Sequence, residues 1–191
     1  NADVDGDISN VNVLSVSGTS NLGANITTTG TQTYNGAVTL GADTSLTTTN
    51  SLAWFKSTVG NSSARALTIS SGTGGVTFAN TVGASTALGA ISISGSGTTT
   101  FSGAVTAASL SSGTGTTAIN GGSVTTTGTQ TYNGAVTLGA DTTLSGTTIN
   151  TGSTVDGGGY SLTVTGNADV DGDISNVNVL SVSGTSNLGA N

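Results

Sequence analysis

The segment 1–25 of this chain occurs a second time, letter for letter, at 167–191. The offset between the two copies is 167 − 1 = 166, so the chain consists of one long repeat and the start of a second. A repeat of this length is larger than one supersecondary unit, which predicts smaller structural units inside it. We expect the chain to be an excerpt from a longer tandem array.

Composition helps to decide whether these units are flexible linkers or short strands. The 31 glycines and the charged fraction of only 6% are typical of a linker. Val, Ile and Leu, however, alternate with Thr and Ser through much of the chain, and this period of two indicates β-strands. Proline is absent. Because Pro cannot donate to a β-ladder, its absence favours strands that are paired on both sides.

The residues that are missing also exclude several functions. The net charge of −7, with only two basic residues, argues against nucleic acid and anionic lipid as partners. No apolar run approaches the roughly 20 residues needed to span a bilayer, so no membrane insertion of this segment is expected. Without His or Cys, the usual nucleophilic triads and zinc sites cannot be built. We predict no catalytic residues and no enzyme activity.

A shorter period appears in the middle of the chain. Phe55, Phe78 and Phe101 are each followed four positions later by Val, and their spacings are 78 − 55 = 23 and 101 − 78 = 23. Tyr132, followed by Val136, is predicted to continue this series. A second duplication relates segment 27–44 to segment 125–142, with an offset of 125 − 27 = 98.

Units of about 20 residues that contain short strands cannot bury their apolar faces alone, but successive coils can bury them by stacking. The sequence therefore predicts an all-β fold, a parallel β-solenoid of short coils of about 20 residues. We expect one continuous segment over 1–191, made of the repeat 1–166 and the start of the next copy at 167–191. A β-sandwich or several small antiparallel domains are the alternatives, since they also use short strands.

Four segments carry a resemblance to a known class of protein: LTISSGTGGVTFANTVG at 67–83, ISISGSGTTTFSGAV at 91–105, TTGTQTYNGAVTLGADTTL at 126–144 and VDGGGYSLTVTGNADV at 155–170. They resemble the β-strand repeats of giant bacterial surface proteins, the filamentous-haemagglutinin-like adhesins and autotransporter-type exoproteins. The resemblance implies a right-handed parallel β-helix, secretion to the bacterial cell surface, and a role as a stalk or filament. It implies no active site, because the repeat itself carries none.

The only clustered acidic residues belong to the motif DVDGD and its copy. If residues 3–8 form one strand, Val4, Gly6 and Ile8 share one face and the carboxylates share the other. Calcium binds six to eight oxygen ligands, so the candidate metal ligands are Asp3, Asp5, Asp7, Asp169, Asp171 and Asp173. The alternative is a solvated acidic strand face without a metal. Calcium is the one cofactor that the sequence suggests.

Trp54, Lys56 and Arg65 form the one unusual local patch, since Lys56 and Arg65 are the only basic residues. Phe55 fits the repeated pattern and is predicted to point into the core, which directs Trp54 outward. An exposed Trp beside a cation can stack on a sugar or contact a partner. These three residues are therefore candidate binding residues. The alternative is that the patch is purely structural.

The function predicted from these observations is mechanical: a repeat segment of an extracellular fibre or giant adhesin stalk. Its expected partners are further copies of the same repeat, end to end, with lateral association of rods as a further possibility. A glycan- or ligand-binding adhesin module is the alternative. A polysaccharide-active β-helix enzyme and an ice-binding solenoid are further alternatives; the latter is suggested by Thr-rich stretches such as 27–29 and 47–49.

Overall fold

The computed structural model describes residues 1–189, and Ala190 and Asn191, the last two residues of the predicted segment, lie outside them. Within 1–189 the chain forms β-strands and turns, and no helix occurs. The 25 strands are β1 Ala2–Val4, β2 Ile8–Val11, β3 Leu14–Val16, β4 Ser20–Leu22, β5 Ile26–Thr28, β6 Gln32–Tyr34, β7 Val38–Leu40, β8 Thr44–Thr48, β9 Ala53–Phe55, β10 Val59–Asn61, β11 Leu67–Ser70, β12 Val76–Phe78, β13 Leu88–Ser94, β14 Thr99–Phe101, β15 Val105–Ser112, β16 Thr117–Ile119, β17 Ser123–Thr126, β18 Gln130–Tyr132, β19 Val136–Leu138, β20 Thr142–Thr151, β21 Val155–Asp156, β22 Leu162–Val170, β23 Ile174–Ser175, β24 Leu180–Val182 and β25 Ser186–Leu188.

Every strand pairs in parallel with the strand one coil away, so the chain winds as a β-solenoid with three faces. The first face is traced by residues that stack in register through ten coils: Ala2, Ser20, Val38, Val59, Val82, Val105, Val124, Leu144, Val164 and Val182. The spacing between successive members is the length of one coil, and it ranges from 20 − 2 = 18 to 82 − 59 = 23. The predicted parallel solenoid with coils of about 20 residues is confirmed.

The other two faces follow the first in chain order. The second face contains β2, β5, β8, β11, β13, the second half of β15, β18, the second halves of β20 and β22, and β25. The third face contains β3, β6, β9, β12, β14, β16, β19, β21 and β23. Strands β15, β20 and β22 are long because they continue around the corner between the first and second faces.

The core lies inside the three faces and is built from alternate residues of each short strand. In β7, for example, Val38 and Leu40 are buried and Thr39 is exposed. On the third face the aromatic rings of Tyr34, Phe55, Phe78 and Phe101 stack one above another, with centroids 5.0, 4.8 and 5.2 Å apart. Offset stacking of aromatic rings at such distances adds to the stabilisation from burial.

The prediction that Tyr132 continues this aromatic series is wrong. Above Phe101 the third face continues with Ile119 and then Leu138. Tyr132 is fully buried, but it lies on the second face, in register with Ser112 and Thr151. A residue's spacing along the chain therefore does not by itself fix the face that it occupies.

Glycines line the corner between the second and third faces. Gly74, Gly97, Gly115 and Gly134 occupy this corner in four consecutive coils, and a Cβ on any of the last three would overlap the carbonyl oxygen of the glycine one coil earlier. The backbones of successive coils therefore approach at this corner more closely than any other residue allows.

The two longest coils place their extra residues at a single corner. These coils run from Val59 to Val82 and from Val82 to Val105, with lengths of 82 − 59 = 23 and 105 − 82 = 23. The loops 62–66 and 83–87 both lie between the first and second faces. The ladder after the loops, on the second face, is continuous through β8, β11 and β13, whereas the first face before them is reduced to single bridges at Val82.

Candidate functional site

The acidic motif at the start of the chain folds as a corner and not as one strand. Asp3 lies in β1, whereas Asp5 and Asp7 lie in the turn before β2. The predicted arrangement, in which Val4, Gly6 and Ile8 share one strand face and the three carboxylates share the other, is therefore wrong. The physical reason is that the solenoid changes face after Val4, and Gly6 sits in the turn between the faces.

Two of these carboxylates are engaged by the next coil. The side-chain amide of Asn21 donates a hydrogen bond of 2.8 Å to Asp3, and the backbone N–H of Asn25 donates one of 3.0 Å to Asp7. In the second copy Asn187 donates to Asp169 over the same distance, 2.8 Å. Asp171 and Asp173 lie in the turn between Val170 and Ile174, as Asp5 and Asp7 do in the first copy.

Among residues 1–189, no group of three or more acidic side chains comes together in a way that could hold a metal ion. Because Asp3, Asp7 and Asp169 accept hydrogen bonds from the next coil, and no three acidic side chains of the described residues converge, we expect the melting temperature to be the same in millimolar Ca²⁺ and in excess chelator. Thermal unfolding followed by circular dichroism measures it, with Asp5→Asn as the matched variant. A rise in melting temperature with Ca²⁺ that Asp5→Asn abolishes would restore the calcium hypothesis.

Several Asn and Asp side chains at the corners form hydrogen bonds between coils, a structural role that the sequence analysis did not predict. The side-chain oxygens of seven such residues each accept the backbone N–H of a residue one coil further on: Asn1, Asp7, Asn25, Asp43, Asn50, Asp141 and Asn167. These bonds satisfy N–H groups that lie at the bends between the ladders. Five of the seven directly precede a strand, and this recurrence of Asn or Asp was the available signal.

Asp156 shows the same use of a carboxylate at another corner. Its oxygen accepts hydrogen bonds from the Gly158 N–H and from the Asn176 side chain, each 3.0 Å long. These two bonds, that from Gly158 first, hold the pKa of the Asp156 carboxyl below its ordinary value. The acidic residues of this chain thus act largely as hydrogen-bond acceptors between coils.

The second feature that the sequence analysis missed is a buried polar pair, present twice. Gln32 is fully buried, and its amide donates to the carbonyl oxygens of Ile26 and Thr47, at 3.2 and 2.9 Å. The Tyr34 hydroxyl donates to the Gln32 side-chain oxygen over 3.0 Å. Burial raises the pKa of the Tyr34 phenol far above its usual value. The sequence pattern did not single out Gln, because buried amides are uncommon unless they are fully hydrogen-bonded.

The duplicated segment repeats this network. Gln130 donates to the carbonyl oxygens of Val124 and Ser145, at 3.0 and 2.8 Å, and Tyr132 donates to Gln130 over 2.8 Å. Burial raises the pKa of Tyr132 as well. The motif Gln-Thr-Tyr is therefore a structural element of the core, since its Gln and Tyr side chains are fully buried in both copies.

The structure brings together two of the three candidate binding residues. Trp54 lies in β9 and is 36% exposed, whereas the neighbouring Phe55 is buried, as predicted. The Lys56 ammonium nitrogen lies 4.3 Å from the centroid of the Trp54 ring, a cation–π contact. Arg65 is not part of this patch, because it lies in the loop 62–66 at the corner between the first and second faces.

The joint between the first repeat and the second lies inside a strand. Strand β22 runs through residues 166 and 167, where one copy ends and the next begins. It pairs with β20 from Thr142↔Leu162 to Ser145↔Thr165, shifts register at Gly166, and pairs again from Thr148↔Asn167 to Thr151↔Val170. The hydrogen bond from the Thr19 N–H to Asn1, 3.1 Å long, recurs as that from Thr185 to Asn167, also 3.1 Å. The same two strands therefore pair on both sides of the joint, with the register shift between them.

Identical residues at the two ends show what a following coil does. Leu22 and Leu188 occupy the same place in segment 1–25 and its copy, but Leu22 is 0% exposed and Leu188 is 43% exposed. Leu22 is covered by β7, the next strand on its face. The burial of Leu22 therefore depends on the coil that follows it.

No protein-family model, no curated protein and no solved structure matches this chain. Over residues 1–189 there is also no helix of the length and apolarity that a membrane crossing requires.

Proposed function

We propose that this chain is a structural segment of a tandemly repeated β-solenoid, which serves as a spacer in a bacterial extracellular fibre or giant adhesin stalk. The observation that carries the proposal is the joint at residues 166 and 167, where β22 passes from one copy into the next and pairs with β20 on both sides of a single register shift. Each added copy then lengthens a single rod, and the role is mechanical, not catalytic.

The dimensions of such a rod follow from the coils. Val4 lies in the first coil and its copy Val170 in the ninth, so one repeat contains slightly more than 9 − 1 = 8 coils. Strands in neighbouring coils are about 4.8 Å apart, and one repeat therefore advances the rod by about 40 Å. The backbone ladders run along the rod axis on all three faces, so extension of the rod requires rupture of many hydrogen bonds together.

A location outside the bacterial cell is part of the proposal. It is supported by the resemblance of segments 67–83, 91–105, 126–144 and 155–170 to repeats of secreted surface proteins. The fold also derives its stability from ladders and a continuous core, since the chain contains no Cys. The partners in this proposal are further copies, joined end to end, because segment 1–25 recurs at 167–191 as the start of a second copy.

The test is the length of arrays with one, two and four repeats, imaged by electron microscopy and measured by X-ray scattering. We expect straight rods that lengthen by about 40 Å for each added copy. As a control, a Gly-Ser linker of about ten residues inserted between 166 and 167 should produce a bend at each joint, since such linkers are flexible. Compact particles, or flexible beads without the inserted linker, would contradict the proposal.

A second candidate function, binding of a glycan, rests on one observation, the exposed Trp54 with Lys56 over its ring. Indole rings and cations at a surface can bind sugar rings by stacking and hydrogen bonding. A glycan array probed with the whole chain and with Trp54→Ala tests it. Binding that the substitution abolishes would favour an adhesin module, and absence of binding would favour the spacer.

A further inference from the structure

Identical sequences occupy different faces in segment 1–25 and in its copy 167–191. Residues Ala2–Val4 pair on the first face, whereas their copy at 168–170 pairs on the second. Ile8 lies on the second face and Ile174 on the third. Leu14 lies on the third face and Leu180 on the first. Every strand of the copy has advanced by one face.

The size of this shift can be counted in strand positions, with three positions to a coil. Ala2 is at position 1, on the first face of coil one, and Ala168 is on the second face of coil nine, at position 3 × 8 + 2 = 26. The repeat thus spans 26 − 1 = 25 positions, which is eight whole coils and one additional face. A repeat of 24 or 27 positions would have returned the copy to its original face.

The internal duplication also changes face, but it moves back by one face instead of forward. Gln32 lies on the third face of coil two, at position 6, and Gln130 on the second face of coil seven, at position 20. The difference of 20 − 6 = 14 positions is one face short of five coils. Both glutamines nevertheless keep the same hydrogen-bond partners in the motif, including the Tyr two residues later.

The faces accept the same sequence because they present the same local environment. Each takes a short strand with alternating buried and exposed residues, followed by a corner. The bond between Asn21 and Asp3 on the first face has the same length, 2.8 Å, as that between Asn187 and Asp169 on the second. The structural unit of this chain is therefore one strand with its corner, and the coil is assembled from three such units.

We propose that, in the tandem array, each repeat is rotated by one face relative to the preceding repeat, so that its surface features wind around the rod. The inference rests on the proposed function, since it needs an array. The pair Trp54 and Lys56 lies on the third face in this copy, then on the first face and the second face in the next two copies. The pair returns to its original face after three repeats.

This rotation determines which side chains are exposed on each side of the rod. The Trp54 surface and the corner loop with Arg65 recur on every side of the rod, with an axial step of about 40 Å. No face carries the same side chains in consecutive repeats. Side-by-side packing of two rods through one repeated face is therefore interrupted in two of every three repeats, which favours single rods displaying their surface in all directions.

Disulfide cross-linking of the whole chain tests the rotation, because the chain has no Cys of its own. Asn150 and Asp169 are register partners on the second face, so Asn150→Cys with Asp169→Cys places two Cys on neighbouring strands. Without rotation, Asp169 would lie on the first face beside Ser145, which makes Ser145→Cys with Asp169→Cys the matched control. We expect the first pair to form its disulfide about tenfold faster, since adjacent strands bring the Cα atoms within bonding range.

A second pair protects the test against a variant that fails to fold. Asp156 and Ser175 are register partners on the third face. Without rotation, Ile174 would stack on Thr151, as the second-face column of Ile8 requires, and the control is therefore Gly152→Cys with Ser175→Cys. Formation of either control pair in preference, or failure of both junction pairs in folded protein, would overturn the rotation. Rods that lengthen normally but show the control cross-links refute the rotation alone, whereas arrays that form no rod refute the proposed function.

Discussion

Phe78→Ala is expected to lower the free energy of unfolding by about 3–5 kcal/mol, the usual cost of removing a large buried aromatic side chain. Phe78 is fully buried and stacks between Phe55 and Phe101, with centroids 4.8 and 5.2 Å away. The substitution removes both ring contacts and leaves a cavity that the ladder backbone, fixed on both sides, cannot fill. Urea unfolding followed by circular dichroism measures the change.

The matched control for Phe78 is its outward-facing neighbour on the same strand. Thr77 is partly exposed, between Val76 and Phe78, which are both buried. Thr77→Ala should change the free energy of unfolding by less than about 0.5 kcal/mol, as is usual for surface positions. Hydrogen exchange should also show the loss from Phe78→Ala concentrated in the coils that contact it, because each coil contacts mainly its neighbours. Equal losses for the two variants would contradict the stacked core.

Gly97→Ala is expected to lower the free energy of unfolding by about 1–3 kcal/mol, the range found when a packed site is overfilled. The added Cβ would overlap the carbonyl of Gly74 one coil earlier, just as a Cβ on Gly115 would overlap the carbonyl of Gly97. The methyl group can be accommodated only if two ladders separate at this corner. The same urea unfolding experiment measures the cost.

Gly60→Ala is the control for the glycine corner, because a Cβ at Gly60 meets nothing within 4 Å. This variant should be neutral or slightly stabilising, since alanine restricts the unfolded chain more than glycine does. The contrast separates the loss of a glycine as such from the loss of space between coils. If Gly97→Ala were as stable as Gly60→Ala, the close approach of the coils at this corner would be wrong.

The architecture could be predicted from the sequence because coils that stack in parallel place similar residues at intervals of one coil length. The spacing of Phe55, Phe78 and Phe101 reflects the length of one coil, and their rings do stack. The alternation around Phe55 also predicted correctly that Trp54 is exposed. Both inferences concern whether a side chain points into the core or out to solvent. The alternation of side chains along a strand determines this directly.

What the sequence could not provide was the face on which a strand lies. The three faces accept the same short alternating pattern, and the coils differ in length, so spacing alone does not locate Tyr132. The prediction for the motif DVDGD was wrong for a related reason. A short strand and a corner give almost the same alternation as one longer strand, and only the pairing with the next coil separates Asp3 from Asp5 and Asp7.

The loops 62–66 and 83–87 make the solenoid a natural scaffold for grafted peptides. They lie at one corner of the rod, before β11 and β13, which remain paired with their neighbours on the second face. A foreign epitope placed at Ser63 would be carried outside the ladder and would be copied once in every repeat. A chain of this kind can thus acquire new sequence by insertion at one corner and still keep its length and stiffness.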